Sequence, residues 1–297
     1  MSTLPVENAK KFTDLSVLTE APNSAVLLIH DGTGVKQISA ANLKADVKAL
    51  ITAAQATINA IATTGAGAHN AIYRGKSLGT AVTEAQWAAI KAGTFEDMYI
   101  GDYWTIGGVV YRIAAFDYYL TTGDTACSAH HVTLVPDANM YTHVMNDTNI
   151  TTGAYVGSKM YTEGLTQAKT TINSAFGEAH ILNHRQYLQN AVTDGYASGG
   201  SWYDSTVELM TEQNVYGGKV FGNQLNGTAL PNSYTVDKSQ YPLFTFRPDM
   251  QSNHQWFWLR DVVSASSFAN VSAYGRATYG NASYASGVRP AFSIYQS

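Results

Sequence analysis

The sequence is poor in cysteine and in charge. Its single cysteine, Cys127, excludes an internal disulfide and a metal site built from clustered cysteines, and is interpreted as a small buried apolar residue. Only 13% of the residues are charged, the formal net charge is -4, and no cluster of lysine and arginine is present. Because nucleic-acid binding needs a basic surface, we expect no nucleic-acid partner.

Long apolar segments are missing as well. No apolar run approaches the roughly 20 residues of a membrane-spanning helix, and residues 1–11 lack the hydrophobic region of a signal peptide. We therefore expect neither membrane insertion nor secretion by a signal peptide. Glycine, threonine, serine, asparagine and tyrosine are plentiful instead, which is typical of a β-rich, rigid protein that works outside a cell.

The segment 264–287 has the composition of a binding surface. It consists almost entirely of Ser, Ala, Tyr, Gly and Asn, and Arg276 is its only charge. Tyrosine offers a large amphipathic contact area at low entropic cost, and the small polar residues supply adaptable hydrogen bonds. The alternative interpretation is a Tyr- and Ser-rich β-hairpin with no special role.

Two apolar motifs enclose this segment, WFWLR at 256–260 and GVRPAF at 287–292. With them, residues 73–297 resemble a C-terminal domain common in phage and prophage tail proteins. They also resemble the variable proteins of diversity-generating retroelements, which use a C-type-lectin-like fold. The resemblance implies an α+β chain whose ligand-binding domain, residues 73–297, is C-type-lectin-like.

In such variable proteins a fixed framework alternates with positions that a mutagenic reverse transcriptase rewrites. The resemblance implies a framework of Trp256, Trp258, Leu259, Arg260, Phe268, Ala269, Val271, Gly275, Ala282, Gly287, Arg289, Pro290 and Phe292. It implies that the substitutable, ligand-binding positions are Ser272, Ala273, Tyr274, Arg276, Thr278, Tyr279, Gly280, Tyr284, Ala285 and Ser286. We expect the three tyrosines to project from one exposed face above anchored Trp256, Trp258 and Phe292.

Residues 1–40 predict a small attachment module. Apolar strands at 25–30 and 35–39 flank Asp-Gly-Thr-Gly at 31–34, a strong hairpin signal. Phage tail proteins often show a similar strand, turn and continuation into a helix. This shorter resemblance implies docking on other tail proteins.

Residues 39–62 predict the clearest helix, which supplies most of a neck at 41–63. Its apolar residues recur at steps of four and three, at Leu43, Val47, Leu50, Ala54 and Ile61, with Thr57 completing the seam and Ile51 and Ile58 widening it. A single amphipathic helix packed on its own domain has the same pattern. The resemblance to phage fibres, which are usually trimers, favours a trimeric neck. A Gly/Ala-rich linker is predicted at 64–72.

Elements in the rest of the chain follow from local signals. We predict a helix at 83–93 that is capped at Thr83 and ends at Gly93, and further helices at 158–176 and, capped by Asn183, at 184–192. Strands are predicted at 103–106, 109–113 and 131–135. Residues 201–246 are expected to form short strands and turns.

Candidate chemical groups have simpler interpretations. His130 and His131 are adjacent, so on a strand they point to opposite faces and do not share a metal. Asp204, Glu208 and Glu212 contain enough carboxylates for a glycosidase pair, but structural or surface roles are favoured. Asp249 and Asp261 lack the spacing of a calcium loop. We expect no catalytic residue, metal or cofactor.

The expected function is that of a non-enzymatic phage tail receptor-binding protein. It would be a homotrimer in the virion, at the tail tip or fibre, made in the host cytoplasm and displaying a variable surface to a host-cell receptor, protein or glycan. Two alternatives stay open: a tail-tip enzyme that degrades surface glycan, and a structural tail or baseplate protein without receptor contact.

Overall fold

The computed structural model describes residues 26–30, 34–61, 65–222 and 239–297. The chain forms two compact units, Met1–Thr63 and Thr64–Ser297. It mixes helices and strands, with sheets predominating, which confirms the mixed α and β class. None of the helices in the described ranges has the length and hydropathy needed to cross a membrane.

The first unit contains a β-hairpin and a helix. Strands β1 (Val26–His30) and β2 (Val35–Ser39) pair antiparallel, which confirms the predicted hairpin, although residues 31–33 of its turn and residues 1–25 of the module lie outside the described part. Helix α1 (Ala40–Ile61) confirms the predicted helix, and Ser39 Oγ accepts a hydrogen bond from the Asn42 N–H at its start.

The apolar stripe of α1 is exposed as far as its side chains are described. Leu43, Val47, Leu50 and Ile51 all face solvent, and Leu50 is 70% exposed. The side chains of Ala54, Thr57, Ile58 and Ile61 lie outside the described residues. One interpretation of the sequence is a single amphipathic helix packed on its own domain. The first half of the stripe does not show such packing.

The second unit is built on two sheets and a hairpin. The six-stranded sheet has the order β10-β15-β6-β5-β4-β3 and the five-stranded sheet the order β13-β12-β11-β14-β7. The strands of the first are β3 (Ser77–Gly79), β4 (Tyr103–Ile106), β5 (Val109–Phe116), β6 (His131–Pro136), β10 (Val207–Leu209) and β15 (Pro290–Tyr295). Those of the second are β7 (Tyr141–Val144), β11 (Phe257–Ser264), β12 (Ser267–Val271), β13 (Ala277–Asn281) and β14 (Ala285–Val288). The predicted strands at 103–106, 109–113 and 131–135 are confirmed.

Short helices cover these sheets. Helix α3 (Glu84–Lys91) begins at Thr83 with a reciprocal capping box to Gln86, as the sequence predicts. The predicted helix at 158–176 is a π-helical turn, Met160–Gly164, followed by α4 (Thr166–Phe176). Further short helices are α2 (Ala66–His69), α5 (Glu212–Tyr216) and α6 (Pro242–Phe246), and 3₁₀ turns lie at Glu178–His180 and Pro248–Gln251.

The predicted linker at 64–72 is partly wrong. From Gly65 onward the chain folds into α2, whose His69 is buried against the Met98 carbonyl. Asn70 is tied in both directions to the backbone of Phe116, at 2.9 and 2.8 Å. This segment therefore belongs to the second unit.

The predicted helix at 184–192 is wrong. The segment is strand β8 (His184–Thr193), paired antiparallel with β9 (Tyr196–Ser205). Burial alternates along it: His184, Gln186 and Leu188 are buried and the residues between them are not. That period of two is a strand signal, and pairing with β9 outweighs the local cap at Asn183. Of the short strands and turns expected at 201–246, β10 and the end of β9 fit the expectation, α5 and α6 are additional, and residues 223–238 lie outside the described part.

Candidate ligand-binding surface

Strands β11 and β12, on one side of the C-terminal segment's edge strand, are buried on both faces. Phe257 and Leu259 of β11 pack into the larger hydrophobic core, while Trp258 of β11 and Phe268 of β12 pack into a second core. The Trp258 indole also donates from Nε1 to the His143 carbonyl at 2.9 Å. Successive side chains of a strand point to opposite faces, so β11 is held from both sides and forms a rigid base.

The three tyrosines of this segment are all exposed. Tyr274 is 82% exposed, Tyr279 53% and Tyr284 60%. Tyr274 lies in the turn before β13, Tyr279 within β13 and Tyr284 in the turn after it. β13 is the outermost strand of its sheet and, with five residues, about 13 Å long. The tyrosines therefore follow one edge strand rather than forming a compact cluster.

The other predicted binding positions divide into two groups. Arg276 and Ala285 are exposed, and Ala273 and Thr278 are half-buried. Ser272 and Ser286 are buried, which is contrary to their predicted contact with a ligand. Ser272 Oγ accepts hydrogen bonds from the N–H groups of Tyr274 and Arg276, at 3.3 and 3.2 Å, so it shapes the turn that carries Tyr274.

Gly280 is also placed with the framework. A Cβ at this position would lie 3.0 Å from Cη2 of Trp258 and 2.9 Å from Nδ2 of Asn270. A larger residue there would collide with the base of the surface. The residue is small because space is short, which the composition of the segment does not reveal.

The predicted anchoring of Trp256 is wrong. Its side chain is 48% exposed. Only its backbone is held: the carbonyl accepts from the Gly287 N–H at 2.9 Å and from Asn139 Nδ2 at 3.0 Å. Trp258 and Phe292 are buried, as predicted. Trp256 precedes the first residue of β11, so the regular strand geometry that buries Trp258 does not extend to it.

Arg289 of the GVRPAF motif is a buried cation. Its guanidinium donates to the Pro136 carbonyl at 2.8 Å and to the carbonyls of Met250 and Gln251 at 3.2 and 3.3 Å, and it lies over the Phe257 ring. Burial lowers its pKa to about 10. Arg289 thus ties the junction of β14 and β15 to the rest of the unit, which is a framework role.

An aromatic residue from outside the segment completes the surface. The ring of Phe221, itself exposed, lies 5.3 Å from that of Tyr279 at an angle of 63°. Its backbone is held by the buried carboxylate of Glu212, which accepts N–H bonds from Val220, Phe221 and Gly222 at 2.8, 3.0 and 2.7 Å. We call Tyr274, Tyr279, Tyr284 and Phe221 the tyrosine surface.

Glu212 is itself braced by a second buried carboxylate. Asp261 of β11 accepts from the Glu212 N–H at 2.7 Å and lies 3.5 Å from the Lys219 ammonium. Burial, and next the charge of Asp261, raise the pKa of Glu212. Sequence reasoning missed this brace because its members are far apart in the chain. The only local signal is the capping pair Thr211 and Asn214, which begins α5 at Glu212.

The adjacent histidines are engaged in hydrogen bonds. His130 Nδ1 lies 2.7 Å from Asp117 Oδ2, and the His131 N–H donates to Asp117 Oδ1 at 2.9 Å. His131 Nδ1 faces the Ala129 carbonyl and its Nε2 accepts from the Tyr119 N–H, while burial lowers its pKa. Within the described ranges, no group of three or more His, Cys, Asp or Glu side chains has the arrangement of a metal site.

The three candidate carboxylates have separate partners. Glu208 is buried and accepts from the Tyr155 hydroxyl at 2.7 Å, and burial raises its pKa. Asp204 is exposed and lies 3.3 Å from the Arg185 guanidinium. Glu212 holds residues 220–222, as described above. Each carboxylate thus has a structural explanation.

No protein-family model, curated protein or solved structure matches this chain. The arguments for its function therefore come from the composition and geometry of the surface.

Proposed function

We propose that the chain is a non-enzymatic receptor-binding protein of a phage or prophage tail. Its second unit is C-type-lectin-like and presents the tyrosine surface to a host-cell molecule. The first unit docks on other tail proteins, and α1 joins three copies through its exposed stripe. The protein then acts in the virion, at the tail tip or on a fibre.

One observation carries the proposal. Exposed aromatic residues follow the edge strand β13, while the neighbouring strands β11 and β12 are buried on both faces. Exposed aromatic side chains do not contribute to packing of the hydrophobic core, and Tyr and Trp often contribute most of the energy of binding interfaces. A rigid base lowers the entropic cost of binding, because the contacts are ordered beforehand.

The lectin-like assignment rests on the resemblance of the WFWLR and GVRPAF motifs. It is supported by the burial of most residues assigned to the framework, Trp258, Leu259, Arg260, Phe268, Ala269, Val271, Ala282, Gly287, Arg289, Pro290 and Phe292. It is also supported by short irregular sheets flanked by α3 and α4.

Competition for the host tests the function. The purified protein, added to susceptible cells before the phage, should occupy the receptor and reduce phage adsorption in a dose-dependent way. A protein that neither binds the cells nor reduces adsorption is no receptor-binding protein. Release of soluble oligosaccharide from host polysaccharide would instead establish the enzymatic alternative.

Diversification of the surface has its own test in the genome. A near-copy of the coding DNA for 264–287, next to a reverse-transcriptase gene, is expected. In sister genes, substitutions should concentrate at Ala273, Tyr274, Arg276, Thr278, Tyr279, Tyr284 and Ala285. The buried positions Ser272, Gly280 and Ser286 should vary little. Variation spread evenly over the chain would contradict the retroelement proposal while leaving receptor binding open to the adsorption test.

A further inference from the structure

A polar cleft of about 490 Å³ opens between residues 125–129 and the start of β8. Asp204 of β9 and Tyr295 at the end of β15 complete its lining. None of the predicted binding positions contributes to it. The volume lies within the roughly 300–1,000 Å³ of pockets that hold small ligands.

The walls of the cleft are held together by Arg185. Its guanidinium binds Asp124 through two contacts, at 2.8 and 3.1 Å, and also Asp204 at 3.3 Å and the Trp202 carbonyl at 3.1 Å. The loop packs directly on this residue, since a Cβ at Gly123 would lie 2.9 Å from Arg185 Cβ. The only cation of the lining is therefore already engaged by two carboxylates.

Other polar side chains of the lining are exposed or partly exposed, and they bond to no other side chain in the part of the chain that the structure describes. They are two alcohols, an amide and a phenol, on Thr125, Ser128, Asn183 and Tyr295. Asp204 uses only Oδ1 toward Arg185. Beside them lies His184, a buried imidazole bonded to Gln186 at 2.8 Å. Its pKa is lowered to about 3 by burial, so it adds no charge at neutral pH.

This lining selects the chemistry of a ligand. An anion would meet the Asp204 carboxylate and a guanidinium that Asp204 and Asp124 already engage, and a cation would meet a carboxylate that is already paired with this guanidinium. A neutral molecule rich in hydroxyl groups can instead give and receive hydrogen bonds with the alcohols, the amide and the carboxylate. Tyr295 adds to the lining an aromatic residue, the type of side chain that sugar rings pack against.

We propose that this cleft is a second binding site, for a neutral carbohydrate of one or two sugar rings. It is independent of the tyrosine surface and of the identity of the receptor bound there. A protein with both sites has one surface for a large partner and one cleft for a short glycan.

Saturation-transfer NMR on the intact chain tests the proposal. The probes are D-glucose, D-galactose, D-mannose and N-acetyl-D-glucosamine, with inorganic phosphate and putrescine as charged competitors. We expect saturable binding of at least one sugar that neither competitor displaces. Asn183→Ala removes one amide partner and should weaken binding about tenfold. Asn42→Ala, the same change at an exposed site in the first unit, should leave binding unchanged.

Three results would overturn the site. They are no transfer to any of the four sugars, displacement by phosphate, or unchanged binding by Asn183→Ala. The variant with Tyr274, Tyr279 and Tyr284 changed to Ala separates this proposal from the proposed function. If it loses the sugar while Asn183→Ala keeps it, the sugar binds at the tyrosine surface and the cleft is not a carbohydrate site.

Discussion

Gly280 lies directly against the indole of Trp258, so that a Cβ at position 280 would come within 3.0 Å of Cη2. This contact joins the edge strand of the surface to the buried base beneath it. It also makes one position of the expected variable segment intolerant of change.

Gly280→Ala should destabilise the protein by about 1–3 kcal/mol, because the added methyl group overpacks the contact with Trp258 and Asn270. Gly67→Ala is the matched control, since a Cβ there meets nothing within 4 Å. Chemical denaturation of both variants measures the difference. If the two variants are equally stable, β13 shifts to accommodate the methyl group at no cost in free energy.

Trp258→Ala should lower the free energy of unfolding by about 3–5 kcal/mol, because it leaves a cavity in the second core. Trp256→Ala should cost much less, because that indole is half exposed. Thermal melting compares the two variants, in which the same substitution is made at two tryptophans separated by Phe257. A larger effect at Trp256 would contradict the assignment of the base.

Changing Tyr274, Tyr279 and Tyr284 together to Ala should strongly weaken adsorption to host cells. Central aromatic residues of an interface commonly contribute about 2 kcal/mol or more each. The melting temperature should stay nearly unchanged because these side chains face solvent. Cell binding and melting are measured on the same preparation. Undiminished binding would place the receptor site elsewhere.

Glu208 should make stability depend on pH. Burial raises its pKa, so the folded state binds the proton more tightly than the unfolded state. Its contribution is therefore present below the unfolded pKa, about 4.5, and is lost as pH rises through the folded pKa. Glu208→Gln keeps an acceptor for Tyr155 and does not titrate. The stability of the parent relative to this variant should fall as the pH rises above about 4.5, and should level off once the pH exceeds the folded-state pKa. The free energies of unfolding of both proteins are measured in urea. If their difference stays constant or rises with pH, Glu208 does not have a raised pKa in the folded state.

Leu50→Asp should separate the copies of a trimer. It places an unpaired charge in the exposed stripe of α1, and burying that charge would cost several kcal/mol. Thr52→Asp, two positions along and outside the seam, should leave assembly intact. Light scattering distinguishes monomers from trimers. A monomeric parent protein at micromolar concentration would refute the trimeric neck.

Local signals predicted much of the fold. The β1–β2 hairpin, α1 and the cap of α3 at Thr83 all depend on residues within a few positions of one another, and all three are confirmed. Strand β8 was missed because its identity depends on β9, and an apparent cap at Asn183 suggested a helix. Secondary structure set by pairing is not readable from one strand alone.

The candidate site divides in the same way. Composition identified exposed Tyr274, Tyr279 and Tyr284, because tyrosines among small residues have few other uses. Composition does not distinguish a small residue that faces a ligand from one whose neighbours leave no space for a larger side chain. Composition therefore groups Gly280 with the binding positions, although its neighbours leave no such space. Phe221 was invisible to it, because the contact with Tyr279 joins segments 58 positions apart.

The hold of Glu212 on residues 220–222 has an evolutionary consequence. Phe221 is fixed by a carboxylate and a backbone that lie outside 264–287. Rewriting that segment would change Tyr279 but leave its aromatic neighbour in place. Every variant would then keep the Phe221 ring next to a strand whose residues differ. A changed binding specificity would always retain one aromatic contact.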